Sequence, residues 1–199
     1  MSETITKPNR RQQILETLAQ ELESHPGSRI TTAGLAKAVG VSEAALYRHF
    51  ASKAKMFEAL IDFAEDTVFG LINKVLVQET SASGRCEKIL QILLGFAERN
   101  PGITRVLLGD ALVGENERLR ARVTQFFERI RTQLRQILRE ANLEGGQRAA
   151  LTIDAAADTM MAVIEGKMSQ FARSGFSESP SRYWDEQWPV LAQGLFRDN

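Results

Sequence analysis

Apolar residues recur along most of the chain at three- and four-residue intervals, the spacing of one face of an α-helix. Ile14, Leu15, Leu18 and Leu22 share one side of a helix predicted over Arg10–Ser24. It stops at His25-Pro26-Gly27, because proline disfavours helix in the residue before it and glycine turns freely. Two short helices follow. The first is capped by Thr31 or Thr32, buries Leu35, Ala36 and Val39, and ends at Gly40. The second is capped by Ser42 and turns Leu46 and Phe50 inward. A long helix is predicted over 52–77, its apolar face including Phe57, Leu60, Ile61, Ala64 and Val68. Beyond a loop at 78–84, further helices are predicted over 85–99, 103–113, 116–141, 149–174 and 180–197, with a glycine-containing loop at 144–147.

β-branched residues never alternate for long, so no sheet is expected. Each of the five prolines (Pro8, Pro26, Pro101, Pro180, Pro189) falls near an expected helix boundary. The fold class is therefore all-α. The domain reading is a flexible arm at 1–9, a helix-turn-helix head at 10–55 and a larger helical body at 56–199.

Lys plus Arg and Asp plus Glu are 25 each, so net charge is zero and a uniformly basic coat is excluded. The charge is nevertheless uneven. Through residue 55 there are eight Lys or Arg against five Asp or Glu, a net +3 that the remainder of the chain cancels. A single cysteine, Cys86, allows no intrachain disulfide, reads as a small core residue, and fits a reduced cytoplasmic setting. The polar start, MSETITKPNRRQQ, lacks the apolar centre of a signal peptide, and no run of about 18 apolar residues predicts a membrane span.

The informative stretch is TTAGLAKAVGVSEAALYRHFASKAK, from Thr31 to Lys55. A helix-turn-helix needs a small residue where its helices touch, a glycine able to turn left-handed, and apolar anchors on the second helix. Ala36, Gly40 and Leu46 stand at that spacing. The second helix then presents Ser42, Glu43, Ala44 and Ala45 to the base edges of a major groove. Tyr47, His49 and Lys53, with Arg48 and Lys55, bring groups that suit phosphate oxygens. Catalysis has no foothold: there is no glycine-rich phosphate loop, no histidine–glutamate metal pair and no nucleophile elbow. No metal or cofactor is expected.

The same stretch, continued to TTAGLAKAVGVSEAALYRHFASKAKMF, resembles the amino-terminal head of the TetR family of transcriptional regulators, with LYRHF followed by SK as its specific signature. The resemblance implies an all-helical homodimer whose first three helices bind double-stranded DNA and whose carboxy-terminal domain dimerises. Carried over by position, Thr31 and Thr32 contact phosphate. Ser42, Ala44 and Ala45 face the bases, with Glu43 as a further participant. Tyr47, His49 and Lys53 hold the backbone. The alanines offer methyl contacts and leave part of the specificity to DNA shape.

The likeness continues through GVSEAALYRHFASKAKMFEALIDFAED, LLGFAERNPGITRVLLGDAL and FERIRTQLRQILRE, which resemble the nucleoid-occlusion members of that family. Such proteins bind palindromic chromosomal sites, as one dimer or two per site. When bound they antagonise assembly of the division GTPase FtsZ and block the septum over the nucleoid. The resemblance implies a groove between the long fourth helix and the next that receives a peptide-like segment of FtsZ. Phe63, Ile92, Gly95, Arg99 and Asn100 are its residues. Leu71 departs from close relatives that can carry a basic residue there.

Met160, Met161, Ile164, Met168 and Phe171 line one face of a helix, and Trp184, Trp188, Leu191 and Leu195 form a stripe on the last one. Either stripe can fill the chain's own core or pair with a symmetry mate in a four-helix bundle, and the family resemblance favours pairing. The competing reading is a ligand-responsive repressor of the same family, with Phe96, Phe126, Phe127 and Met161 around a small-molecule pocket.

Overall fold

The structure is a computed structural model that describes residues 9–144 and 147–197, with the side chain of Glu144 left aside. Nearly all of the predicted arm, including Pro8, and part of the predicted loop at 144–147 lie outside the described residues.

Helix α1 (Arg10–Ser24) is capped by Asn9, whose side chain accepts from the Arg11 amide, and it buries Ile14, Leu18 and Leu22. Helices α2 (Thr32–Val39) and α3 (Glu43–His49) follow, capped by Thr31 and Ser42. Helix α4 (Lys53–Gln78) starts from Ser52 and buries a stripe from Met56 to Ile72. Helix α5 (Ala82–Arg99) begins one turn earlier than the pattern predicts, because Ser81 caps it through the Gly84 amide and shortens the loop. Its Cys86 is fully buried, and burial pushes the thiol up to about 12.

Helix α6 (Pro101–Leu108) starts with proline in the first turn, where no amide donor is needed. The predicted run to Val113 breaks at Gly109, which takes φ +83 and leads into a 3-10 turn, Asp110–Leu112. Helix α7 (Glu117–Glu144) runs beside α4, and α8 (Ile153–Arg173) begins at a Thr152 cap. Helix α9 (Trp184–Leu195) carries Pro189 in its interior rather than at a boundary, forfeiting one ladder bond. A two-residue antiparallel pairing, Arg148–Ala149 with Phe196–Arg197, ties the last strand back to the approach to α8; no alternation announces so short a pairing.

One hydrophobic cluster runs through head and body. Helix α1 joins them by packing closely on α6. There the absence of a side chain at Gly102 is required, because an added Cβ would lie 2.0 Å from the Ala19 carbonyl oxygen.

Candidate nucleic-acid interface and partner groove

The turn between α2 and α3 is built as its sequence demands. Gly40 takes φ +77, and its amide together with that of Val41 closes on the Ala36 and Lys37 carbonyls. Leu46 and Phe50 anchor α3 in the core. That leaves Ser42, Glu43, Ala44, Tyr47, Arg48 and His49 exposed on the outer side, with Ala45 half-buried.

Thr31 Oγ1 accepts from the Gly34 amide at 3.1 Å, and Ser42 Oγ accepts from the Ala45 amide at 3.2 Å. The Thr32 hydroxyl donates to Glu43 Oε2 at 2.8 Å, tying the start of α2 to the start of α3. Arg11 is an element sequence reasoning missed. Its guanidinium donates to the His49 carbonyl at 3.1 Å and lies 4.2 Å above the Phe50 ring, so it holds the far end of α3.

Lys53 differs from expectation. Its ammonium is engaged by Glu115, from the turn before α7, and its side chain is only 17% exposed. It is not a free cation on the DNA side. Lys55 is paired as well, with Glu58 at 2.5 Å. Arg48 and Lys37 are exposed and form no ion pair among the described residues.

On α4, Phe63 is 48% exposed and lies 6.2 Å from the Phe96 ring. Together with Leu15 and Ala19 of α1, Leu60, Asn100 and Ile103 it lines an apolar groove of about 350 Å³. The groove lies between α1, α4 and the start of α6 rather than between α4 and α5, and Ile92, Gly95 and Arg99 are not among its lining residues. Ile92, Gly95 and Arg99 follow at helical spacing along α5. What approaches Gly95 is Arg99 itself: a Cβ there would sit 3.3 Å from its guanidinium. The Asn100 amide donates to the Phe96 carbonyl at 2.9 Å, closing the end of α5. Asp62 and Glu65, which flank Phe63, are held by Arg122 at 2.8 and 3.0 Å, and the bond to Asp62 raises the Arg122 pKa. Leu71 is half-buried.

The predicted dimer stripes need correction. Met160, Ile164, Met168, Phe171, Trp184, Trp188 and Leu195 are buried within the single chain, where α5, α6 and α7 pack on α8 and Trp184 stacks on Trp188. Only Leu191 is partly exposed. The outward face of the same two helices includes Ala162, Val163, Gly166 and Val190 around an open groove of about 780 Å³, which the partly exposed Leu191 and the charged Lys167 and Glu186 also line. Periodicity located the buried side of each helix; it did not say which partner buried it.

Phe96, Phe126 and Met161 are core residues, and Phe126 packs edge-on against Phe69 and Phe127 at 5.8 and 5.2 Å. Among the described residues no group of three His, Cys, Asp or Glu side chains is placed to hold a metal, and no helix is long and apolar enough to cross a membrane.

Comparison with known proteins follows this division of the chain. Residues 14–60 match the bacterial regulatory proteins of the tetR family, and residues 80–196 match the SlmA-like tetracyclin repressor-like C-terminal domain. The nucleoid occlusion factor SlmA of Marinomonas sp. (strain MWYL1) is 57% identical, covering 95% of this chain and 96% of that protein. The SlmA of Shewanella denitrificans is 55% identical, covering 98% of each. Among solved structures, the MbdR regulator from Azoarcus sp. CIB superposes with TM-score 0.80 at 18% identity, covering 94% of this chain and 99% of that one. The ketosteroid regulator KstR2 of Mycobacterium tuberculosis gives 0.77 at 18% identity, covering 97% and 98%. These structural likenesses speak for the fold alone.

Proposed function

Because the chain belongs to the TetR family of bacterial regulatory proteins, in the branch of the nucleoid occlusion factors SlmA, we propose that it is a sequence-specific DNA-binding nucleoid-occlusion factor. Bound to palindromic chromosomal sites, it antagonises FtsZ assembly and blocks septum formation over the nucleoid. The single observation that carries this reading is identity above one half along nearly the whole chain, body as well as head.

The geometry supports each part. The exposed side of the short helix α3 is free to enter a major groove. Ser42, Glu43, Ala44 and Ala45 lead it, and Tyr47 and His49 stand beside the backbone path. Thr31 and Thr32 flank it at the start of α2. Two copies pair through the outward face of α8 and α9, which brings two readers onto one palindrome, and one or two such dimers share a site. The FtsZ segment docks beside Phe63, Ile92, Gly95, Arg99 and Asn100: Phe63 is an exposed aromatic that shares an apolar groove with Asn100, and Arg99 is an exposed guanidinium without an ion pair among the described residues. The protein then works at the nucleoid, in the cytoplasm, without catalysis or cofactor.

Light scattering and pelleting of FtsZ polymers with and without chromosomal-site DNA test this reading. Loss of polymer that requires DNA supports it. No effect in either case favours the ligand-responsive repressor.

A further inference from the structure

Glu115 lies in the turn between the Asp110–Leu112 segment and α7, outside the reading head. Two cations of the head nevertheless converge on it. Lys53, at the first position of α4, reaches its Oε1, and Arg29, from the link between α1 and α2, comes within 3.7 Å of the same oxygen. Arg29 also donates to the Gly114 carbonyl at 3.4 Å. The carboxylate side chain is only 9% exposed, so the pair with Lys53 is shielded from solvent and attracts more strongly than a surface pair.

This arrangement duplicates what a DNA phosphate would offer. One anionic oxygen is held by an ammonium at a helix start and a guanidinium beside it. A phosphate and a carboxylate cannot share these cations cheaply, since the two anions would repel each other at close range.

We infer that Glu115 is a stand-in for a backbone phosphate. It holds Lys53 and Arg29 in the DNA-free protein and releases Lys53 when duplex binds. The inference rests on the proposed DNA reading of the head and adds a residue of the body that sets its affinity. Bound phosphate takes the lysine, and the displaced carboxylate takes up a cation from solution. That uptake cancels one counterion released from the DNA, which weakens binding and flattens its salt dependence. The turn at 114–116, with the Lys53 tether gone and only the longer Arg29 contacts left, loosens on binding.

The test is Glu115→Gln, which preserves shape and removes charge. It is titrated against a short random-sequence duplex and a chromosomal-site duplex over a range of KCl concentrations. Affinity rises about three- to tenfold at low salt, and the slope of log K against log salt steepens by about one. In a Lys53→Ala background most of the gain disappears. Unchanged or weaker binding by Glu115→Gln, or an equal gain without Lys53, overturns the inference. Hydrogen exchange on the unaltered protein serves should the variant fold poorly. Amides of residues 114–116 exchange faster when duplex is added, and slower or unchanged exchange likewise overturns the inference. Absence of any duplex binding by the unaltered protein is a separate result, and it removes the DNA reading itself.

Discussion

The guanidinium of Arg105, in α6, closes the end of α1: Nη1 donates to the Leu22 carbonyl at 2.6 Å and to the His25 carbonyl at 3.1 Å. The side chain is 3% exposed, and Asp110 holds its Nε at 2.7 Å. The last carbonyls of a helix lack intrahelical donors and carry the negative end of its dipole, so a buried cation satisfies both needs. This contact fixes the reading head against the body. Arg105→Met takes the donor from the buried Leu22 carbonyl, while the Ser28 amide still serves that of His25, and costs about 2–4 kcal/mol, read as a lowered midpoint of thermal or urea unfolding. An unchanged midpoint would show that the junction is held elsewhere.

Gly102 controls the same junction by being small. A methyl at this position meets backbone rather than a movable side chain, since the Ala19 carbonyl lies 2.0 Å from where it would be. Gly102→Ala therefore forces α1 away from α6 and costs about 3 kcal/mol. Denaturant unfolding measures the loss, and Gly166→Ala, with open space around it, serves as the tolerant control.

The outward and inward faces of α8 and α9 separate by experiment. Val190→Asp, at a position 69% exposed, yields a folded monomer in sedimentation while helicity is kept. Trp188→Ala, 4% exposed and stacked on Trp184, lowers stability by about 3–5 kcal/mol through a cavity in the core. A Val190→Asp protein that stays dimeric places the subunit interface on another face.

At the partner surface, Arg99→Ala and Asn100→Ala abolish DNA-dependent inhibition of FtsZ and leave affinity for DNA within twofold or so. Arg99 stands exposed without an ion pair among the described residues, so its loss costs little stability. Variants that inhibit FtsZ normally would move the docking surface away from the end of α5.

Acid sensitivity has one local source in Glu79. Its carboxylate accepts from Lys88 at 2.7 Å and from the Ser81 amide and hydroxyl at 3.0 Å, and these bonds hold its pKa down from 4.5 to about 2. A lowered folded-state pKa stabilises the fold above the ordinary carboxylate range, and the effect is lost as pH falls through the folded value. Unfolding curves of Glu79→Gln and the unaltered protein should therefore differ at pH 7 and converge between pH 4.5 and about 2. A gap that persists at the lowest pH would assign the effect to packing.

Local signals are legible in the sequence because they act on near neighbours. The caps at Thr31 and Ser42, the left-handed Gly40 and the buried Leu46 each depend on neighbours within a few residues. What escaped is carried by distance along the chain. Lys53 meets Glu115 62 residues later, and Arg105 meets Leu22 83 residues earlier; no periodicity encodes either. The one legible hint was a single charge inside the apolar run PGITRVLL, which marks a buried cation in need of acceptors. The Trp184–Leu195 stripe shows the same limit, since an apolar face is visible in sequence while its burier is not.

Helix α4 runs 26 residues without a proline, and its one glycine, Gly70, lies beyond Phe63. Lys53 at its first position and Phe63 are thus roughly 15 Å apart along an unbroken rod. Such a rod has no joint in which to absorb a displacement. The proposed chromosome contact and the proposed docking ring therefore ride on one stiff element, at a spacing the helix itself fixes.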